Sequence, residues 1–331
     1  MKVIFGSRGS DLALTQTGTV INAFKNAHPG VEVELRVIRT TGDDKPDARL
    51  EEIGGLGAFT REIEMALLNS DIDVAVHSLK DLPTAQPEGL RVAAVVARQS
   101  PADALISNRG YTLDALPKGA VVGTSSLRRK AQLLAVRGDL RIRELRGNVP
   151  TRMQRVREGH LDAALLAMAG LIRLRLDQEP GVRELPLGCM LPAPGQGALA
   201  LEVLEGNVPL STLLASLHDE ASALAVNSER AALQAFGGGC RAPLGVYASP
   251  CDKENLSIQS FAADVNTGRV VRISRITPMT EAISTGHTVG KELREELQKH
   301  ALTGEIGQTS ASNDDVDVSL APPMQSASGR A

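Results

Sequence analysis

The 331-residue chain has no tryptophan, two tyrosines and five phenylalanines. Single-stranded nucleic acid is held largely by stacking bases on aromatic rings, so this scarcity argues against a nucleic-acid platform. Three cysteines, Cys189, Cys240 and Cys251, are too few for a disulfide framework, and a reducing cytoplasm is the simplest compartment. No apolar run approaches the roughly 18 residues that span a membrane. The start, Met1-Lys2-Val3-Ile4-Phe5-Gly6, lacks the apolar stretch of a signal peptide and reads as a strand. There is no C-x-x-C, no Walker loop and no G-x-G-x-x-G after a strand, and His77, His160 and His218 are scattered, so no metal site is expected.

What is present is a chain rich enough in apolar residues, at 42%, to build real cores, and long enough for two or three domains. Its basic residues are 27 arginines against nine lysines, and arginine is the better residue for two-point recognition of carboxylate or phosphate. The net charge is −3, yet residues 118–183 hold 14 basic against 6 acidic side chains. One basic region in an acidic protein suggests a small polyanionic ligand more than a long nucleic acid. For most of these arginines a solvated helix face is the plainer explanation.

The apolar periodicity predicts strands at 2–5 and 31–39 with a helix at 11–25 between them, a βαβ unit that favours a parallel sheet. A helix at 59–69 and strands at 72–76, 90–96 and 104–106 follow. A second α/β stretch has strands at 120–123, 140–145 and 163–166, with a helix running to 136 and another after residue 152. A Pro/Gly connector, Leu191-Pro192-Ala193-Pro194-Gly195-Gln196-Gly197, leads to a strand at 198–203 and a helix at 208–217. An Ala-rich helix at 219–236 then meets Gly237-Gly238-Gly239-Cys240-Arg241-Ala242-Pro243, and strands at 244–248, 256–263 and 269–276 precede a helix at 281–300. Residues 303–331, rich in Ser, Asp, Pro and Gln, read as a disordered tail.

Four strand ends carry loops that mix hydroxyls with Arg or Lys: residues 6–10, 77–83, 123–129 and 146–152. Ligands of open α/β sheets sit at the carboxyl ends of strands, and a Gly-Thr-Ser-Ser turn opening a helix points several donors at one anion. Each loop alone signals little, because an N-cap serine is ordinary; four together are harder to dismiss. Asp81 sits among basic and hydroxyl groups, either in a salt bridge with Lys80 or an arginine, or as a lone carboxylate aimed at a cation or a proton. Cys240, between three glycines and Pro243, reads as an accessible thiol able to carry a covalent group, whereas Cys189 and Cys251 read as small buried or merely exposed residues.

Six segments together resemble the porphobilinogen deaminase (hydroxymethylbilane synthase) family, in order over roughly residues 1–300. They are Ser7-Arg8-Gly9-Ser10-Asp11-Leu12-Ala13-Leu14, Val76-His77-Ser78-Leu79-Lys80-Asp81-Leu82-Pro83, Val122-Gly123-Thr124-Ser125-Ser126-Leu127-Arg128-Arg129, Leu145-Arg146-Gly147-Asn148-Val149-Pro150-Thr151-Arg152, Leu191 to Gly197, and Gly238-Gly239-Cys240-Arg241-Ala242-Pro243. The resemblance implies a transferase of tetrapyrrole (haem and chlorophyll-type) biosynthesis. Such an enzyme joins four porphobilinogen molecules head to tail into hydroxymethylbilane and releases ammonia. It implies a dipyrromethane cofactor joined by a thioether to Cys240, with Lys80, Asp81, Ser126, Arg128, Arg129, Arg152 and Gly170 around it. Arg8, Ser10, Phe59, Ser78, Thr124, Arg146 and Arg173 match positions that contact substrate, and Asp81 matches the catalytic carboxylate that faces pyrrole N–H groups and balances an azafulvene cation. Leu56 falls where many members carry a lysine, with Arg61 nearby.

The implied fold is two periplasmic-binding-protein-like α/β domains joined by hinges plus a small C-terminal α+β domain. Domain 1 is expected at 1–96 with 197–214, domain 2 at 101–191, and the cysteine-bearing domain at 217–302, with hinges near 97–101 and 191–196. A cytoplasmic monomer with no nucleic-acid or membrane partner is the expectation. The alternative is a two-lobed binding protein for small anions without catalysis, which would need the loops but neither Cys240 nor Asp81.

Overall fold

The computed structural model describes residues 1–40, 60–237, 239 and 242–299. The first strand, β1 (Lys2–Arg8), runs into helix α1 (Asp11–Ala27), whose N-cap Ser10 accepts a hydrogen bond from the Ala13 amide at 3.4 Å. Its Val20, Ile21 and Phe24, spaced for one helical face, pack on Val3 and Phe5 of the strand, and the Phe5 and Phe24 rings meet edge to face at 5.3 Å. Full burial of each such side chain stabilises the fold by about 1.5–3 kcal/mol. Next come β2 (Glu32–Ile38), α2 (Arg61–Leu68), β3 (Val74–Ser78), a single 3-10 turn (Leu79–Asp81) and β4 (Leu90–Val96).

The second lobe contains β5 (Asp103–Ser107), β6 (Val121–Gly123), α3 (Leu127–Val136), β7 (Arg141–Arg143), α4 (Val149–Arg157), β8 (Ala163–Ala167), α5 (Met168–Arg173) and β9 (Val182–Glu184). The chain then returns through β10 (Leu199–Leu204) and α6 (Val208–Leu214) before α7 (Glu220–Phe236), β11 (Leu244–Pro250), β12 (Asn255–Ala263), β13 (Val270–Pro278) and α8 (Ala282–Lys299).

The strand orders explain how two lobes share one chain. The first sheet is β2-β1-β3-β10-β4 and the second β7-β6-β8-β5-β9. In each, four of the five strands run in one direction and the fourth in order runs antiparallel to both its neighbours. That fourth strand is β10 in the first lobe and β5 in the second. Each follows directly on a connector between the lobes, so each crossing is anchored at once in the middle of a sheet. This is the two-lobed, hinged arrangement expected of a periplasmic-binding-protein-like pair, with a third, α+β domain beside it.

The connectors touch. Gly197 has φ +94°, and a Cβ built there would lie 2.3 Å from the Gln99 carbonyl oxygen, so only glycine lets the two strands cross this closely. The third domain is an antiparallel sheet, β11-β12-β13, whose Val246, Leu256 and Ile258 pack against Ala232 of α7 and Val289 and Leu293 of α8.

Candidate active site

Every loop singled out in the sequence emerges from the carboxyl end of a parallel strand: β1, β3, β6 and β7. Three of them open helices with a side-chain cap. Besides Ser10, Ser126 caps α3 by accepting from the Arg129 amide at 3.4 Å, and Asn148 caps α4 by accepting from Thr151 at 2.9 Å. β3 reaches Ser78 rather than ending at Val76, because it pairs with β10 as far as Ser78 opposite Leu199. The expected loop residue His77 is therefore a buried strand residue, bonded to the carboxylate of Glu202 at 3.0 Å. The Ser78 hydroxyl exchanges hydrogen bonds with the Gln16 amide group at 3.0 and 3.2 Å.

At the centre lies a carboxylate that the sequence reading passed over. Asp103, the first residue of β5, is completely buried. It accepts from Arg128 Nη1 and from Arg129 Nη2, each at 2.7 Å, and from Gln196 Nε2 at 2.9 Å. Burial alone would raise its pKa, but the two guanidiniums hold it well below the usual carboxylate range. Arg128 also donates to the Leu191 carbonyl and Arg129 to that of Leu165, at 2.6 and 3.0 Å. The Arg129 Nε–H is buried without a partner among the described residues.

Cations crowd this point. The half-buried Lys80 donates from Nζ to Gln196 at 3.3 Å, and its ammonium is lowered to about 8 by burial, with Arg129 and Arg128 adding to the effect and Asp81 and Asp103 opposing it. Arg152, which donates to the Gly147 carbonyl at 2.7 Å, is lowered to about 10 by burial and by Arg129 and Arg146, against the pull of Asp81. Arg173, on α5, donates to the Gly197 carbonyl at 2.7 Å and is likewise lowered to about 10 by burial. Arg146 pairs with Glu144 at 2.6 Å, and Thr124 is buried with its hydroxyl accepting from the Ser126 amide at 3.2 Å. Gly170 is buried between the lobes, facing Leu12 of α1 and Val149 of α4, while Arg8 is half-buried at the end of β1.

Asp81 differs from all of these. It is exposed, it makes no ion pair or hydrogen bond among the described residues, and its charge is felt at both Lys80 and Arg152. The salt-bridge alternative for this residue therefore has no partner in the described structure. Thus Arg129 and Asp81 are each felt at both Lys80 and Arg152, Arg128 is felt at Lys80 and Arg146 at Arg152, a chain of cations beside one unpaired carboxylate. Phe59, Leu56 and Cys240 lie outside the described residues. No group of three His, Cys, Asp or Glu side chains among the described residues could hold a metal ion.

Comparison with known proteins decides the family. The profile described as "Porphobilinogen deaminase, dipyromethane cofactor binding domain" matches residues 3–211, and that of "Porphobilinogen deaminase, C-terminal domain" matches residues 223–295. The chain belongs to the porphobilinogen deaminase family.

Its relatives include the probable porphobilinogen deaminase of Archaeoglobus fulgidus, 43% identical over 90% of this chain and 99% of that one. The porphobilinogen deaminase of Sulfurimonas denitrificans is 42% identical over 91% and 96%, and that of Rubrobacter xylanophilus 48% identical over 75% and 80%. Among solved structures, the methionine-binding protein MetQ is similar over 67% of this chain and 92% of its own, at 14% identity and a TM-score of 0.43.

The cofactor named by the family fits the residues present. A porphobilinogen-derived dipyrromethane brings carboxylates, and this cluster offers buried and half-buried cations in excess of buried carboxylates, including the Nε–H of Arg129, which has no partner among the described residues.

Proposed function

We propose that this protein joins four porphobilinogen molecules stepwise into hydroxymethylbilane, releasing ammonia at each step, on a dipyrromethane bound through Cys240. The observation that carries the reading is the unpaired, exposed carboxylate of Asp81 beside Lys80 and Arg152 at the end of β3. Porphobilinogen carries two carboxylates, a pyrrole N–H and an aminomethyl group. Its carboxylates are bound by Arg8, Arg146 and Arg173, with Ser10, Ser78, Thr124 and Phe59 completing the substrate contacts. Lys80, Ser126, Arg128, Arg129, Arg152 and Gly170 would hold the cofactor, which when bound would supply a nucleophilic free pyrrole carbon. Asp81 accepts the pyrrole N–H, and its negative charge offsets the positive charge that develops as ammonia leaves. The same carboxylate can receive and return a proton as the new bond forms.

Substrate and growing chain lie between two bodies, residues 1–96 with 197–214 and residues 101–191, that adjust about the connectors, while residues 217–302 carry the cysteine. The protein works as a monomer in the cytoplasm without nucleic acid; no described helix is long and apolar enough to cross a membrane. The test is turnover by Asp81→Asn, which keeps the size and one acceptor oxygen but removes the charge. Lost electrostatic stabilisation of this kind costs on the order of 10²–10³ in rate. A folded, cofactor-loaded variant within about tenfold of wild type falls well short of that loss and removes Asp81 from the mechanism.

A further inference from the structure

Helix α7 belongs to the third domain but also lies under the catalytic turn of the first. Ala223, Val226 and Arg230 recur at i, i+3 and i+7 and so share one face. Ala223 and Val226 pack against Leu79 and Leu82 in a common buried cluster. Residues three apart eclipse in a 3-10 turn. With Leu79 and Leu82 both turned down onto α7, Lys80 and Asp81 between them are left to the cleft. Arg230, one turn beyond Val226, reaches the backbone of that turn. Its Nη1 donates to the carbonyls of Leu79 at 3.2 Å and Leu82 at 2.9 Å, and its Nη2 to that of Pro83 at 2.7 Å. The three carbonyls flank Lys80-Asp81 on both sides.

A guanidinium is suited to this task, because its rigid fork holds several acceptors at once, whereas an ammonium is a point charge on a flexible stem. The same helix ends at Phe236, four residues before Cys240 in the sequence. We propose that Arg230 is a positioning residue, a clamp from the third domain that fixes the Asp81 turn on helix α7. The proposal rests on the function given above. The Arg230 guanidinium is spent on backbone carbonyls, and Arg8, Arg146 and Arg173, which the proposed function gives to the substrate carboxylates, stand on other elements, so Arg230 acts on the chemical step and not on substrate affinity.

The test uses full-length Arg230→Met, which keeps an apolar stem and loses the fork, together with Arg230→Lys. Intact mass and Ehrlich's reaction count the molecules that carry the cofactor, and thermal unfolding reports the fold. kcat and KM for porphobilinogen are then expressed per loaded molecule. A misplacement of about 1 Å in a reacting group costs about 10²-fold, so kcat of the Met variant is expected to fall to that extent. KM stays within about threefold, because uniform binding is untouched. Wild-type kcat per loaded molecule overturns the clamp while leaving the functional reading intact; an inactive wild-type chain strikes the functional reading instead. A folded variant without cofactor assigns Arg230 to cofactor attachment and also overturns the proposal. If the Met variant does not fold, the Lys variant decides by the same readouts: lowered kcat at unchanged KM supports the clamp, and wild-type kcat removes it.

Discussion

At the scale of single residues, the site is organised around charges that are buried for different reasons. Asp103 ties Arg128 and Arg129 to the beginning of β5, and the second connector's Gln196 joins the same carboxylate. Removing one partner of a buried ion pair strands the other charges at a cost of about 3–5 kcal/mol. Asp103→Asn should lose stability of that size at pH 7, measured by urea unfolding. The sign follows from linkage: the folded pKa lies below its ordinary value of 3.8, so the increment is present above that pH and is lost as pH falls through the folded value. The gap between wild type and variant should therefore narrow in acid. Lys80 works in the opposite sense. Its ammonium, lowered to about 8 by burial, is charged below that pH and neutral above it. The pH profile of kcat/KM should carry an alkaline limb near that value, where the cleft loses a cation. Lys80→Arg, which stays charged, should lack the limb; a limb that persists in the variant assigns it to another group.

Among the elements, long periodic segments were legible and short or partner-limited ones were not. α1, α7 and β4 carry enough apolar repeats to declare themselves. β7 was expected over residues 140–145 but pairs only at Arg141–Arg143, because its neighbour β6 is itself three residues long and offers no further partners. α5 and β9 are too short to show a period, and β9 exists through its pairing with the edge of β5. The buried carboxylates were missed for a related reason. Asp103 leads a strand that continues Ala-Leu-Ile-Ser, so a lone acid before apolar residues was the available signal, whereas Glu229 stands between Ser228 and Arg230 and reads as an ordinary polar helix position. Glu229 is fully buried and binds Arg98 of the first connector at 2.6 Å, the Gly195 amide of the second at 2.7 Å and the Ala248 amide of β11 at 2.9 Å. One carboxylate thus joins both connectors to the third domain. The crossing of the connectors is the most exacting backbone feature nearby. Gly197→Ala would place its Cβ 2.3 Å from the Gln99 carbonyl at positive φ. A strained backbone position of this kind costs about 1–3 kcal/mol, to be read as a lowered unfolding midpoint; an unchanged midpoint would mean the connectors separate without cost.

For the molecule as a whole, the six sequence segments identify the family before any coordinates, and the fold explains why they are scattered along the chain. Five of them lie at strand ends of the two lobes and in the second connector, and the sixth follows α7 in the sequence. The cleft they build is rich in cations, which suits a chain that gains two carboxylates with every porphobilinogen added. On the proposed function the protein itself carries, through Cys240, the primer on which that chain grows. Intact-mass measurement tests this most directly. The purified wild-type protein should be heavier than its sequence by one dipyrromethane, brief exposure to porphobilinogen should add whole pyrrole units, and Cys240→Ala should be inactive at its bare sequence mass. An active wild-type protein at its bare sequence mass, or a Cys240→Ala variant that still carries the added mass, would contradict the account.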